Sequence, residues 1–207
     1  MKHILCYGDS NTWGCVPELF TRYGVNERWP GVLQNLLGSE YHIYENGLNG
    51  RTTVFEDPIE EMRNGRSGFE TTLMVNAPLD LIIIMLGTND VKDRHNQTAW
   101  DIGWGVDLLV QLVRKQLNPA PEVLIASPIH LNDKFGSTLH GTVFSEESIR
   151  KSKELSAVYE KIAEVNGSHF IDCAPFAEAV GDGVHTSKEG HKGIAEGMFK
   201  KVKEILG

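Results

Sequence analysis

Cysteine is scarce in this 207-residue chain, and the three present, Cys6, Cys15 and Cys173, have neither zinc-ligand nor C-x-x-C spacing. An odd, scattered set argues against a disulfide framework and points to reduced thiols. Cys6 and Cys173 lie in apolar, strand-like contexts and read as small core residues. Positive charge is also short, with 20 Lys+Arg against 28 Asp+Glu, a formal −8. No basic run or aromatic-interleaved basic stretch occurs, which argues against a nucleic-acid partner. No apolar stretch reaches the ~18–20 residues of a membrane helix, and strand-like sequence begins by residue 3, leaving no room for a signal peptide. A soluble, cytoplasmic protein without a membrane partner is expected. Repeats and low-complexity linkers are missing too, so the expectation is one domain over residues 1–207, with 41% hydrophobic content to build its core.

Five apolar segments stand out, at residues 3–7, 41–45, 80–86, 122–126 and 168–172, separated by helical patterning or turn residues. This is α/β alternation. The third and fourth are continuous apolar runs, as expected of central parallel strands covered on both faces. The spacing predicts helices over Pro30–Leu37, over 98–117, from Ser145 to about Asn166, and from near Ser187 onward. The predicted buried faces are Trp104, Leu108, Leu109, Leu112 and Val113 in the second; Ile149, Leu155, Val158, Ile162 and Val165 in the third; and Ile194, Met198, Val202 and Ile205 in the last. Two long irregular stretches, 51–67 and 127–144, are candidate pocket walls.

Polar residues collect where the apolar runs stop, the edge at which open parallel sheets bind ligands. After the first strand comes Gly8-Asp9-Ser10-Asn11, in which Ser10 is the candidate nucleophile at a helix start; the alternative is plain helix capping. After the second comes Glu45-Asn46-Gly47-Leu48-Asn49-Gly50, where glycine lets backbone approach a ligand or simply makes a turn. After the third, Asn89 offers an uncharged donor suited to an oxyanion, or satisfies loop backbone, with Asp90 beside it. Near the C-terminus, Asp182 and His185 stand three residues apart. In such a turn the carboxylate can fix the imidazole tautomer and leave the other nitrogen to deprotonate a serine. His191 reads as structural, and His3, His42, His95, His130, His140 and His169 lack a carboxylate at this spacing.

These blocks resemble those of the SGNH, or GDSL-like, hydrolases: Gly8-Asp9-Ser10, Gly50, Gly87-Thr88-Asn89-Asp90 and Asp182-Gly183-Val184-His185, in the family's order over almost the whole chain. Gly-Asp-Ser-Asn-Thr-Trp-Gly at 8–14 and Gly-Leu-Asn-Gly-Arg-Thr-Thr at 47–53 are similar to the branch of small intracellular arylesterases, some of which perhydrolyse esters. The resemblance implies a flavodoxin-like three-layer α/β/α sandwich with a five-stranded parallel sheet of order 2-1-3-4-5, and a homo-oligomer. It implies catalysis by Ser10, Asp182 and His185, an oxyanion hole of Ser10, Gly50 and Asn89, and no metal or organic cofactor. Substrate contacts are expected at Asp9, Asn11, Trp13 and Asn49.

The expected activity is hydrolysis of short-chain, acetyl-like esters of aryl alcohols, small molecules or sugars through an acyl-enzyme. A lysophospholipase or thioesterase of the same family is the nearest alternative. Two further readings use the same strand-end carboxylates. One is metal-dependent phosphoester hydrolysis by Asp9, Asp90, Asp182 and His185; the other is a Mg²⁺-holding receiver module, in which Ser10 and the Asp182/His185 turn would have no role.

Overall fold

A computed structural model describes residues 1–207. In chain order its elements are β1 (Lys2–Gly8), α1 (Ser10–Trp13), α2 (Trp29–Leu37), β2 (Tyr41–Gly47), α3 (Phe69–Asn76), β3 (Leu81–Met85), α4 (Ala99–Gln116), β4 (Glu122–Ser127), α5 (Glu146–Asn166), β5 (His169–Asp172) and α6 (Lys188–Leu206). The five strands form one parallel sheet of order β2-β1-β3-β4-β5, as the resemblance implies.

Alternation along the strands divides their side chains between two cores. Leu5, Tyr7, Ile82, Ile84, Val123 and Ile125 face α3, α4 and α5, where Phe69, Leu73, Val106, Leu109, Leu155 and Ile162 close the layer. Ile4, Cys6, Ile83, Met85, Leu124 and Ala126 face α2 and α6, against Trp29, Leu33, Ile194, Met198 and Val202. Cys6 and Cys173 are buried core thiols, as their contexts suggest.

Two of the expected helix faces are corrected. On α4 the buried stripe is Ile102, Val106, Leu109, Val110 and Val113, whereas Trp100, Trp104 and Leu108 point outward and are about half exposed. Both sets repeat at four-residue spacing, so apolar periodicity does not separate them. Close approach does: a Cβ on Gly103 would lie 2.5 Å from Val158 Cγ1, and one on Gly105 2.4 Å from Thr53 Oγ1. The glycine-bearing side is therefore the one that packs, and the bulky indoles face out. On α5, Val165 is exposed because it lies in the final turn, beyond the packed run ending at Ile162 and Ala163. Helix α3 lay outside the predicted elements; it buries only Phe69 and Leu73, too short a stripe to read as a period.

Register fixes the edge that matters. Gly8 pairs with Gly47 on one side and with Met85 on the other, so the residues that follow β1, β2 and β3 leave the sheet side by side.

Candidate active site

Local chemistry turns each strand end toward one cavity. A Cβ on Gly8 would lie 2.0 Å from Thr12 Oγ1 and 2.7 Å from the Met85 carbonyl, so glycine is what lets the chain fold from β1 directly into the single turn of α1. Asp9 caps that turn by accepting from the Asn11 N–H at 2.9 Å. Ser10 is thereby presented with its Oγ 2.9 Å from His185 Nε2.

The second loop is stapled to the first. Gly50 is in the left-handed region at φ +78°, and Arg51 behind it is turned inward. Its guanidinium donates to the Gly8 carbonyl at 2.8 Å and to Asn46 Oδ1 at 2.9 Å, and sits 4.1 Å over the Tyr7 ring. Thr53 donates its N–H to Asp90 Oδ1 at 2.8 Å, and Asn89 Nδ2 donates to the Arg51 carbonyl at 3.1 Å, so β3 holds the same loop from the other side. The N–H groups of Ser10 and Gly50 donate to no protein acceptor, and Asn89 retains a second amide hydrogen. Ser10, Gly50 and Asn89 line the same cavity, so all three have donors available to a ligand there.

The third loop is closed by its own carboxylate. Asp182 Oδ1 accepts from the N–H groups of Val184 at 3.0 Å and His185 at 2.9 Å, and Oδ2 accepts from His185 Nδ1 at 2.7 Å. Asn11 Nδ2 donates to the Val184 carbonyl at 3.3 Å and ties this loop to the serine turn. Burial alone would raise the Asp182 carboxyl. The imidazoles of His140 and His185 and the His185 N–H outweigh it and hold the group well below the usual carboxylate range. Asp182 is therefore ionised where His185 must be oriented.

A cavity of about 300 Å³ opens over Ser10. One wall is polar, formed by Asn49, Gly50, Glu60, Asn89 and Lys92; the other carries Phe20, Leu139, Val143 and Phe144. Both irregular stretches reach it, but unequally. Of the many charges in 51–67 only Glu60 lines the cavity, while the largely polar 127–144 contributes mostly apolar side chains.

The residues expected to contact substrate divide accordingly. Asn49 lines the cavity. Asp9 and Asn11 are sealed at 0% and 1% exposure and serve the turn and its link to Val184. Trp13 stands off the cavity, its ring covered by the Arg22 guanidinium at 5.1 Å and its carbonyl accepting from Arg22 Nε. Asp90 is sealed by Thr53, and burial pushes its carboxyl up to about 6. His191 is buried, accepts through Nδ1 from the Trp29 N–H at 3.3 Å, and is structural in its contacts.

Three polar cavity residues have no role of their own in the sequence reading, although two of them, Glu60 and His140, lie in the stretches expected to wall the pocket. Glu60 and Lys92 pair at 2.7 Å on the polar wall. Lys92 lies two residues beyond Asp90, so its position after β3 was a usable signal. His140, set aside for want of a neighbouring carboxylate, has Nε2 3.7 Å from Asp182 Oδ2. No local signal precedes it, because the partners are joined only by the fold.

A parallel sheet carrying a Ser–His–Asp hydrogen-bond chain and available donors at its carboxyl edge has the layout of a serine acylhydrolase. The chain belongs to the GDSL-like lipase/acylhydrolase family, whose profile matches residues 6–192. It is similar in structure to the aryl esterase of M. smegmatis, at 34% identity and a TM-score of 0.95 with both chains fully covered. It is equally similar to a carbohydrate acetylesterase from Sinorhizobium meliloti, at 34% identity and a TM-score of 0.94, again with both chains fully covered. Among curated proteins it matches an acetylxylan esterase of Xylanibacter ruminicola at 24% identity over 97% of this chain. The chain spans 43% of that relative's length.

Proposed function

We propose that this protein is a serine esterase that hydrolyses short-chain, acetyl-like esters of aryl alcohols, small molecules or sugars through an acyl-enzyme. The observation that carries the reading is the unbroken chain Ser10 Oγ–His185 Nε2 at 2.9 Å and His185 Nδ1–Asp182 Oδ2 at 2.7 Å, opening onto a cavity.

His185 Nε2 takes the Ser10 proton as Oγ bonds to the ester carbonyl carbon. Asp182 keeps the Nδ1–H tautomer and stabilises the imidazolium. The N–H groups of Ser10 and Gly50 and the Asn89 amide hold the tetrahedral oxyanion. His185 returns the proton to the leaving alkoxide and the acyl group stays on Oγ. Water, deprotonated by the same imidazole, then adds to the acyl carbon, and the Oγ–carbon bond breaks as His185 gives that proton back to Oγ and the acid departs. The scheme calls for neither metal nor organic cofactor. The rival metal-phosphoester reading needs Asp9 and Asp90 as ligands, yet both are closed off from the cavity.

The buried, unpaired cysteines suit a reducing compartment, and we place the protein in the cytoplasm. The outward Trp100, Trp104 and Leu108 on α4 suit self-association, and we read the functional form as a homo-oligomer.

An organophosphonate should label Ser10 alone, and Ser10→Ala and His185→Ala should each lower turnover on the order of 10³-fold or more, with the double variant hardly worse. Labelling at another serine, or additive losses, would refute the assignment.

A further inference from the structure

His140 helps to hold Asp182 ionised but carries no proton and binds no substrate in this scheme. Its ring packs between Phe20, Phe144 and His185, at centroid distances of 5.6, 6.1 and 5.6 Å. Its Nε2 is shielded from solvent and has no hydrogen-bond partner, since the 3.7 Å to Asp182 Oδ2 exceeds hydrogen-bond range. An aromatic cage thus aims an unpaired imidazole nitrogen at a carboxylate oxygen that already meets a second imidazole.

We infer that His140, Asp182 and His185 form an inhibitory site for a zinc-like divalent cation, built onto the triad by a histidine outside the Ser10–His185–Asp182 hydrogen-bond chain. One donor atom from each residue lies within 4.8 Å of the others. Tetrahedral zinc with bonds of about 2.0–2.2 Å spaces its ligand atoms about 3.4 Å apart. Asp182 Oδ2 is 2.7 Å from His185 Nδ1 and 3.7 Å from His140 Nε2, and the two imidazole donors are within 4.8 Å, so adjustments of up to about 1.4 Å bring all three pairs to that spacing. Two imidazoles and one carboxylate select zinc-type ions over Mg²⁺ or Ca²⁺, which take oxygen ligands. His140 and His185 both line the cavity, the side from which a cation would enter.

Occupancy has a defined chemical consequence, which rests on the reading of His185 as the base. A cation takes the Nδ1 lone pair, and the proton that Nδ1 carried moves to Nε2, leaving the imidazole neutral. Nε2 then holds a hydrogen and has no lone pair for the Ser10 proton. The metal locks the wrong tautomer, and turnover stops without displacement of substrate.

Zinc binding is measured by calorimetry on the Ser10→Ala protein, which keeps all three donors, with His140→Gln and His140→Phe introduced singly into that background. One zinc per chain is expected, with affinity falling roughly 10-fold or more in either His140 variant, as loss of a ligand should exceed the loss of an outer-shell partner. Absence of binding, or unchanged affinity in the His140 variants that fold, overturns the site. In parallel, aryl acetate turnover by the otherwise unaltered protein is titrated with ZnCl₂, MgCl₂ and CaCl₂. Noncompetitive inhibition by zinc alone, relieved by chelator and weakened in the His140 variants relative to their own zinc-free rates, supports the tautomer lock. Zinc binding without inhibition overturns the lock, and inhibition that His140 variants leave unchanged assigns it to another site. If Ser10 fails to be labelled while calorimetry still shows His140-dependent binding, the esterase reading falls and the metal site stands.

Discussion

Asn89 Nδ2 donates to the carbonyl of Arg51 at 3.1 Å, so the amide that follows β3 is bonded to the residue adjoining Gly50. Two of the three proposed oxyanion donors are therefore tied to each other. Asn89→Ala is expected to lower kcat on the order of 10²-fold or more with little change in KM, because the lost amide binds charge present only in the transition state. Steady-state kinetics decide it: an unchanged kcat with raised KM would make Asn89 a ground-state binding residue.

The Arg51 guanidinium reaches backbone carbonyls at the ends of both β1 and β2 and stacks on Tyr7. An ammonium cannot span those acceptors in the same fork. Arg51→Lys should destabilise the fold by about 1–3 kcal/mol, through buried carbonyls left without a donor, and should lower kcat by loosening the Gly50 turn. Urea unfolding and kcat on the same samples test this; full stability with full activity would show the staple to be dispensable.

The walls of the cavity set the acyl length. With about 300 Å³ available and the Glu60–Lys92 pair across from the apolar side, a short acyl group is covered and a long one must leave the pocket or meet charge. Each methylene kept from water would favour longer substrates by about 0.8 kcal/mol, so the trend is diagnostic. For a homologous series of aryl esters, kcat/KM should peak at acetyl to butyryl and fall by octanoyl, with chelator having no effect. A steady climb through octanoyl would favour the lipase or long-chain thioesterase alternative.

Acid should weaken the fold through His191. Burial depresses its imidazole to about 4 from the usual 6.5, with the neighbouring His185 and Arg28 side chains adding to the effect. The unfolded chain then binds more protons between those values, so stability present above about 6.5 is lost as pH falls toward 4. Asp90 runs the other way. Its carboxyl is raised from 3.8 to about 6 by burial, so the folded chain binds more protons in that window and gains stability as pH falls. His191→Leu removes only the first effect. Between pH 7 and 4 its unfolding free energy should shift relative to the parent protein by roughly 3 kcal/mol in the variant's favour. Parallel pH profiles of urea unfolding would show that His191 does not titrate as described.

What could be read before the fold was known followed from locality. The strands were visible because each is a short apolar run ended by turn residues, and the site blocks because each sits just past such a run. Asp182 and His185 could be paired on paper because one turn contains both. The face of α4 was misread because Trp104 and Leu108 share the spacing of Val106 and Val110, and only the close packing at Gly103 and Gly105 distinguishes them. His140 was missed because its carboxylate lies in a different loop, and Asp9 and Asn11 were overread because a polar turn looks the same whether it faces substrate or holds itself together.

The bonds from Ser10 to His185 and from Asn11 to Val184 join residues 175 and 173 positions apart. Order of synthesis thereby separates the partners in time. The proposed nucleophile leaves a ribosome about 10–35 s before its proposed base at ordinary elongation rates. Throughout that interval Ser10 is a hydroxyl that has not yet met the imidazole 175 positions further on. Reactivity arrives in one step, when the loop at 182–185 docks onto the first turn.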